Sequence, residues 1–254
     1  MNKEQLKNYL DLKVEKYNQV EFIESDPIQI PHKFSQREDI EIAGFLAATI
    51  AWGNRKMIIR NSLRMMELLD NAPYDFVINH EERDLEKLNG FVHRTYNDQD
   101  FKQFIKSLKN IYANHGGMEA VFTKYQGEND MKEAIFKFRE KFFEVDHLSR
   151  TERHVSNPLK GSAAKRINMF LRWMVRKDNC GVDFGLWNNI SPSKLSIPLD
   201  VHSGRIAREL NMLIRKQNDW KAVAELDHSL RELDPSDPVK YDYALFGVGV
   251  FNDR

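Results

Sequence analysis

Apolar residues recur along most of this chain at the three- and four-residue spacing of amphipathic helices. The spacing predicts a first helix over about Lys3 to Tyr17. It predicts a second that is opened by a capping box of Ser35 and Glu38 and runs through Ile40 to Ile50. The second is apolar on most of its surface, so we expect it to be buried. Trp52-Gly53-Asn54 interrupts it, and another helix follows through Ile58 to Leu69. Because no convincing alternating strand is present, the pattern indicates an all-α protein.

The rest of the chain extends the same pattern. Four further helices are predicted over 98–114, 130–144, 218–233 and 238–251. Asp237 and Pro238 suit the N-cap and the first turn of the last one. The segment from Glu144 to Asn157 is charged and has few large apolar residues, which favours a surface connection between two lobes. Without an internal repeat or a flexible linker, a single two-lobed helical domain over 1–254 is the simplest organisation.

Length and composition narrow the class of protein. The 254 residues, 41% of them apolar, can form one substantial core. No run approaches the roughly 18 apolar residues of a membrane span, and the N-terminal Met1-Asn-Lys-Glu-Gln lacks the apolar stretch of a signal peptide. We therefore expect a cytoplasmic protein without a membrane partner.

Cysteine and histidine usage argues against a metal centre. Cys180 is the single cysteine, which excludes an internal disulfide and a multi-cysteine zinc or iron–sulfur site. The eight histidines are scattered and form no HExxH motif. The sequence predicts neither a metal nor another cofactor.

Charge is unevenly distributed although its sum is zero. The window from Thr151 to Lys216 holds 12 Lys and Arg against 5 Asp and Glu, so it carries +7 and the remainder carries −7. Such a window is typical of a surface that binds phosphate or nucleic acid, and a solvated helical face gives a milder version of it. Both interpretations stay open on charge alone.

Lys165 stands in a basic helical stretch inside that window. Ile167, Phe170, Leu171 and Met174 form the stripe that must pack inward. Arg172 and Arg176 each lie within about 20° of Lys165, on a different face of the helix. Neighbouring cations and partial burial would favour the neutral amine, which is a nucleophile. An ordinary exposed lysine on a basic helix is the alternative.

Asp200 stands where a second amphipathic helix begins. It follows Pro198 and precedes a helical pattern, so the first role we expect for it is N-cap. A capping carboxylate at the mouth of a cleft can also stabilise a cationic centre in a substrate. The neighbouring His202 and Arg205 would suit phosphate contacts, with solvation on the helix surface as the alternative.

A lysine on one helix, followed by a Pro-x-Asp-x-His segment that opens another, resembles the signature of the helix-hairpin-helix superfamily of DNA glycosylases. The matching residues are Lys165, Pro198, Asp200 and His202. The resemblance implies a two-lobed, glycosylase-like helical fold, with 157–216 as the lysine and aspartate segment. The 35-residue gap from Lys165 to Asp200 looks closer to that of archaeal 8-oxoguanine glycosylases. The usual Pro-Gly-x-Gly hairpin is reduced here to Pro158-Leu-Lys-Gly-Ser-Ala, with one glycine.

A second partial match is Leu46 to Arg55, which resembles the helix and break that open the glycosylase core. By this resemblance, Lys165 and Asp200 are the catalytic residues of a glycosylase and AP lyase that excises a damaged base through a lysine Schiff base. The implied partner is duplex DNA with a damaged base. The residues expected to contact DNA are Asn54, Arg55, Lys160, Gly161, Ser162, Arg166, Arg172, His202 and Arg205.

The chain as a whole is similar to an uncharacterised bacterial family, domain of unknown function 2400. The segments that carry this likeness are Gly161-Ser-Ala-Ala-Lys-Arg, Pro198-Leu-Asp-Val-His and Tyr243-Ala-Leu-Phe-Gly-Val-Gly. That family supplies no activity. Two other functions stay open, namely a non-catalytic helical protein that binds nucleic acid or a protein partner, and an enzyme using the same lysine on a small phosphorylated or carbonyl substrate. The sequence predicts neither the lesion recognised nor the oligomeric state.

Overall fold

The computed structural model describes residues 1–251, and these are mostly helical. In chain order the α-helices are α1 (Lys3–Tyr17), α2 (Glu21–Glu24), α3 (Arg37–Thr49), α4 (Arg55–Leu68), α5 (Pro73–Asn79), α6 (Asp98–His115), α7 (Met118–Lys124), α8 (Lys132–Phe142), α9 (Lys165–Val175), α10 (Val201–Glu209), α11 (Trp220–Leu233) and α12 (Tyr241–Phe251). Short 3-10 helices span Pro27–Gln29, Pro31–Lys33, Asp84–Leu88, Ser149–His154, Pro158–Lys160, Pro192–Lys194 and Pro238–Lys240. The all-α class predicted from the sequence is confirmed.

A small β-hairpin is the exception to the helical pattern. Strands β1 (Val92–His93) and β2 (Tyr96–Asn97) pair antiparallel, with Arg94 and Thr95 as the loop between them. The sequence analysis missed these strands, because two residues are too few to show an alternating pattern.

The chain divides into two compact units. Unit 1 is formed by residues 1–24, 126–133 and the segment from 157 onward, and unit 2 by residues 25–125 and 134–156. The chain therefore passes between the units four times. The single two-lobed domain stays a prediction for the chain as a whole.

The core of unit 1 is built around α12, which has a mostly apolar sequence and packs against both α1 and α10. Two glycines of α12 allow this close approach. A Cβ at Gly247 would lie 2.3 Å from Cδ2 of Tyr17, and a Cβ at Gly249 would lie 2.9 Å from Cβ of His202. Leucines of α11 complete the same core, among them Leu226 with no exposed surface. Helices α1, α10, α11 and α12 thus share one apolar interior.

Unit 2 has an aromatic core. The Phe45 ring of α3 lies 5.8 Å from the ring of Phe104 and 5.5 Å from the rings of Phe138 and Phe142. These are spacings at which stacked and edge-on aromatic rings attract one another. Helices α3, α6 and α8 are held together by this cluster.

Two local predictions hold only in part. The segment Glu144 to Asn157 reaches the boundary between the units at residue 157, but Thr151 and His154 in its 3-10 helix are buried. Asp237 occupies the N-cap position and Pro238 the first turn, but the Asp237 side chain accepts no hydrogen bond from the amides of that turn. Its carboxylate instead accepts hydrogen bonds from the Arg176 guanidinium, at 2.9 and 3.1 Å.

No helix among residues 1–251 combines the length and apolar character needed to cross a membrane.

Candidate functional site

A tight turn presents Lys165 as the first residue of α9. The 3-10 helix over Pro158–Lys160 ends at Gly161, whose φ of 89° lies in the left-handed region that glycine adopts freely. Ala164 also has a positive φ, 50°, and its amide donates to the Ser162 hydroxyl at 3.2 Å. A left-handed alanine is unfavourable by itself, so packing of the buried Ala164 must hold it there. The turn therefore fixes the direction in which α9 and its lysine start.

The buried face of α9 is the one predicted. Ile167, Phe170, Leu171 and Met174 are each at most 4% exposed. This stripe is buried, whereas Lys165 at the start of the helix is partly exposed.

Asp200 forms the N-cap of α10, as the sequence predicts. Its Oδ1 accepts hydrogen bonds from the amides of His202 at 2.8 Å and Ser203 at 2.9 Å. The Ser203 hydroxyl accepts one from the Asp200 amide at 3.0 Å, which completes a capping box. Capping therefore occupies Oδ1 and fixes the carboxylate in one orientation.

Lys165 and Asp200 meet directly. Nζ of Lys165 lies 3.1 Å from Oδ2 of Asp200, the oxygen that does not accept the capping amides. The lysine side chain is 35% exposed and the aspartate side chain 11%. Burial raises the pKa of the Asp200 carboxyl, but the Lys165 ammonium and the Ser203 amide outweigh it and the pKa is lowered. The result is an ionised carboxylate beside an amine that solvent can reach.

The loop that leads into α11 connects the backbone near Lys165 with the backbone of Asp200. The amide of Trp220 donates to the carbonyl of Gly161 at 3.0 Å, and Nδ2 of Asn218 donates to the carbonyl of Asp200 at 2.9 Å. Arg208 in turn donates to Oδ1 of Asn218 at 2.7 Å. The loop thus links the turn before α9 to the cap of α10. Sequence reasoning missed Asn218, since a loop residue leaves no periodic signal.

Helix α12 packs against α10, the helix that Asp200 caps. Gly249 lies against His202, and its carbonyl accepts a hydrogen bond from Arg205 at 2.9 Å. Asp242, near the start of α12, is 6% exposed and pairs with Arg172. Burial raises the pKa of Asp242 to about 6 and the nearby Asp200 adds to this, whereas Arg172 opposes it. Asp242 is a second carboxyl in the surroundings of the pair that sequence reasoning did not identify.

The two arginines expected to surround Lys165 with positive charge lie inside the unit instead. Arg172 is 4% exposed and Arg176 is 2% exposed. Arg172 pairs with Asp183 and Asp242, and Arg176 with Asp183 at 3.0 Å and with Asp178 and Asp237. Both guanidinium groups also lie over the Tyr243 ring. Burial and pairing contradict the predicted phosphate contact by Arg172, because its guanidinium has no surface on which to meet DNA.

The remaining residues expected to contact DNA fall into two groups. In unit 1, Lys160, Gly161 and Ser162 are exposed on the turn before α9, and His202 is exposed beside Asp200. Arg205 is partly exposed and pairs with Glu209 at 3.0 Å.

Arg166 is half-buried, and burial lowers the pKa of its guanidinium. Asn54 and Arg55 belong to unit 2, where the Asn54 side chain caps α4 by accepting from the Met57 amide at 3.2 Å. The structure thus brings the unit 1 turn together with the lysine and aspartate pair.

Within the described part of the chain, no group of three or more His, Cys, Asp or Glu side chains is arranged to hold a metal ion. Neither the curated proteins nor the solved structures include a match to this chain. The profile of one family, described as protein of unknown function (DUF2400), matches residues 26–251. That span covers most of the chain and includes Lys165 and Asp200, so the protein belongs to the DUF2400 family.

Proposed function

We propose that this protein is a DNA glycosylase with AP lyase activity, in which Lys165 attacks the sugar of a damaged nucleotide and Asp200 assists. The observation that carries the proposal is the 3.1 Å approach of Lys165 Nζ to Asp200 Oδ2. A nucleophile and an acid–base group must lie within hydrogen-bonding reach of each other to cooperate, and these two do. The resemblance to helix-hairpin-helix glycosylases includes the same two residues and supports the same chemistry.

The arrangement suits each chemical step. The Lys165 ammonium first gives a proton to solvent, which reaches its partly exposed side chain. The neutral amine then forms a bond to the anomeric carbon while the bond from that carbon to the base breaks, and the base departs with that electron pair and takes up a proton from solvent. Asp200 Oδ2, fixed by the cap and ionised, stabilises the positive charge that develops on the sugar. Opening of the sugar ring gives a Schiff base. Loss of a proton from the adjacent sugar carbon then expels the 3′ phosphate and cuts the strand.

The turn before α9 suits a DNA backbone beside this site. Lys160 supplies an exposed cation and Ser162 an exposed hydroxyl. Ala164 provides no side-chain cap for α9, so the first amides of the helix keep the positive end of its dipole towards the same region. Flipping a damaged base out of the duplex costs a few kcal/mol, least for a lesion that pairs poorly. The proposed substrate is therefore duplex DNA with a lesion.

Borohydride trapping tests the proposal. Labelled duplexes containing an abasic site, 8-oxoguanine, uracil or an alkylated base are incubated with wild type and with Lys165→Gln. We expect a covalent adduct with wild type on at least one duplex and none with Lys165→Gln, because borohydride reduces a Schiff base to a stable amine. Lys3→Gln is the matched control, since Lys3 is a 64% exposed lysine in unit 1 and should leave the adduct unchanged.

Two outcomes would reject catalysis by Lys165. An adduct that persists in Lys165→Gln would assign the chemistry to another amine. No adduct on any duplex, together with salt-dependent retention of DNA, would leave a helical protein that binds nucleic acid without catalysis.

A further inference from the structure

Unit 2 contains a group of arginines around its β-hairpin that the proposed function does not use. We propose that Arg94, Arg150 and Arg153, called here the arginine surface, bind the phosphodiester backbone of a nucleic acid. The proposal concerns unit 2 alone and does not depend on the chemistry of Lys165.

The hairpin loop brings the three arginines together. Arg150 and Arg153 each donate a hydrogen bond to the carbonyl of Thr95, at 3.0 and 3.1 Å. Arg94 is the residue before Thr95 in the same two-residue loop. Because two guanidinium groups reach one oxygen and the third arginine adjoins it, three positive charges are concentrated at one exposed turn.

The backbone accommodates Arg94 at some conformational cost. Its φ of 54° lies in the left-handed region, where glycine is the usual residue of a hairpin loop. Its guanidinium occupies the space over Gly53, where a Cβ would lie 2.7 Å from Nη1. Gly53 has a φ of 104° and could not carry a side chain without displacing Arg94. An arginine in this uncommon backbone conformation is local strain of the kind found at binding sites, which points to a use for its side chain.

Carboxylates only partly neutralise these charges. Arg150 lies 3.1 Å from Oδ2 of the buried Asp100. Within residues 1–251, neither Arg94 nor Arg153 pairs with a carboxylate. Helix α4 begins two residues after Gly53 and has no acidic residue in its first turn, although the positive end of a helix favours acidic residues. The region therefore has an excess of positive charge that an anion would relieve.

The guanidinium groups favour phosphate as the ligand, and their exposure favours a polymer of phosphates. Guanidinium groups match phosphate oxygens with two parallel hydrogen bonds, which a lysine cannot do. The three arginines and the loop residue Thr95 are exposed, so they are open to a chain of successive phosphates. A free polyphosphate shares this chemistry, and the experiment separates the two sources.

The test measures the anisotropy of a fluorescein-labelled, undamaged duplex between ~50 and ~200 mM salt. We expect wild type to bind, and Arg94→Gln/Arg153→Gln to bind about tenfold more weakly at the low salt concentration. Removing one arginine–phosphate pairing should reduce the slope of log affinity against log salt by about 0.9, so the slope of the double variant should fall by close to 2. Arg150→Gln is measured separately, since Arg150 also pairs with Asp100.

The matched control is Arg83→Gln/Lys106→Gln, which removes two cations from unit 2 that already pair with Glu81 and Glu82. Its affinity should stay within twofold of wild type, and circular dichroism checks that all variants fold. Equal losses of affinity in both double variants, or none in either, would overturn the proposal. So would inorganic tripolyphosphate that displaces the duplex at equimolar concentration. The undamaged duplex offers no lesion for the lysine chemistry, so failure of that chemistry would leave this result interpretable.

Discussion

Asp200 shows how one side chain can hold a fold and serve a site together. Its two oxygens have separate partners, since Oδ1 caps α10 and Oδ2 faces Lys165. The capping bonds immobilise the carboxylate, so Oδ2 is held beside the amine without a further ordering cost. The two roles can be separated by substitution because only one of them needs charge.

Asp200→Asn should keep the cap and lose the chemistry. Asparagine caps a helix about as well as aspartate does, so the free energy of unfolding should change by less than about 1 kcal/mol. Asp200→Ala should cost about 1 kcal/mol more, because the cap is lost as well. Both variants should form the trapped adduct at least ~100-fold more slowly than wild type. Urea unfolding and adduct rates measure the two effects, and full adduct formation by Asp200→Asn would contradict the assigned role.

Asp227 is a buried carboxyl whose pKa affects the stability of the fold. It is 3% exposed in α11, where it accepts the Ile197 amide at 2.9 Å and lies 3.8 Å from Arg231. Burial raises its pKa to about 6, although the Ile197 amide and Arg231 act in the opposite direction. The folded protein therefore binds a proton at this position more tightly than the unfolded chain does.

This raised pKa predicts a stability that falls as pH rises. Between pH ~4 and ~6 the folded state retains the Asp227 proton after the unfolded state has lost its own, so this carboxyl should cost about 3 kcal/mol by pH ~6.5. Asp227→Asn removes the titration. Its stability relative to wild type should therefore increase across that window in urea unfolding. Asp146→Asn, at an exposed carboxylate, is the control, and parallel pH profiles for wild type and Asp227→Asn would refute the assignment.

At the scale of elements, the glycines of α12 determine where α10 lies. Gly247 faces α1 through Tyr17, and Gly249 faces α10 through His202. Since His202 is two residues from Asp200, the second contact helps to position the cap and its free oxygen. The same helix thus supports stability on one side and the candidate site on the other.

Gly247→Ala and Gly249→Ala form a matched pair. Alanine is favoured over glycine in a helix by about 1 kcal/mol, but each new methyl meets atoms at 2.9 Å or less. We expect both variants to be less stable by about 1–3 kcal/mol in urea unfolding. Adduct formation by the folded protein should fall only for Gly249→Ala. Equal adduct rates in the two variants would show that α12 does not position Asp200.

Helices were predictable where apolar spacing was regular, and other elements were not. The first helix was predicted over Lys3 to Tyr17, the bounds it has. The 3-10 helix over Ser149–His154 was missed because hydrogen bonds, rather than an apolar stripe, hold it in place. Its buried Thr151 donates to Asp100 at 2.7 Å, and Asp100 is 51 residues distant in sequence. Such a long-range polar contact leaves no local periodic signal.

At the scale of the whole molecule, the pairing of Lys165 with Asp200 came from a resemblance, while local spacing gave only their separate positions. A helical wheel correctly identified the apolar stripe of α9 as buried. It could not show that Arg172 would meet Asp242, 70 residues further along the chain. Partners of this kind are set by packing, so the sequence alone misplaced that arginine.

A count of charges along the sequence did not locate the arginine surface of the folded protein. The basic window from Thr151 to Lys216 contains buried arginines whose charge is already compensated. Two members of the arginine surface, Arg94 and Arg150, lie outside it. Folding therefore concentrates positive charge where a linear count does not find it.

The packing of α1 against α12 has a consequence for synthesis of the protein. The ribosome releases residues 3–17 early, whereas residues 241–251 emerge more than 200 residues later. Until then Leu10, which is fully buried in the finished fold, has no α12 to cover it. Until α12 has left the exit tunnel, we expect unit 1 to stay open and the apolar face of α1 to be accessible to chaperones.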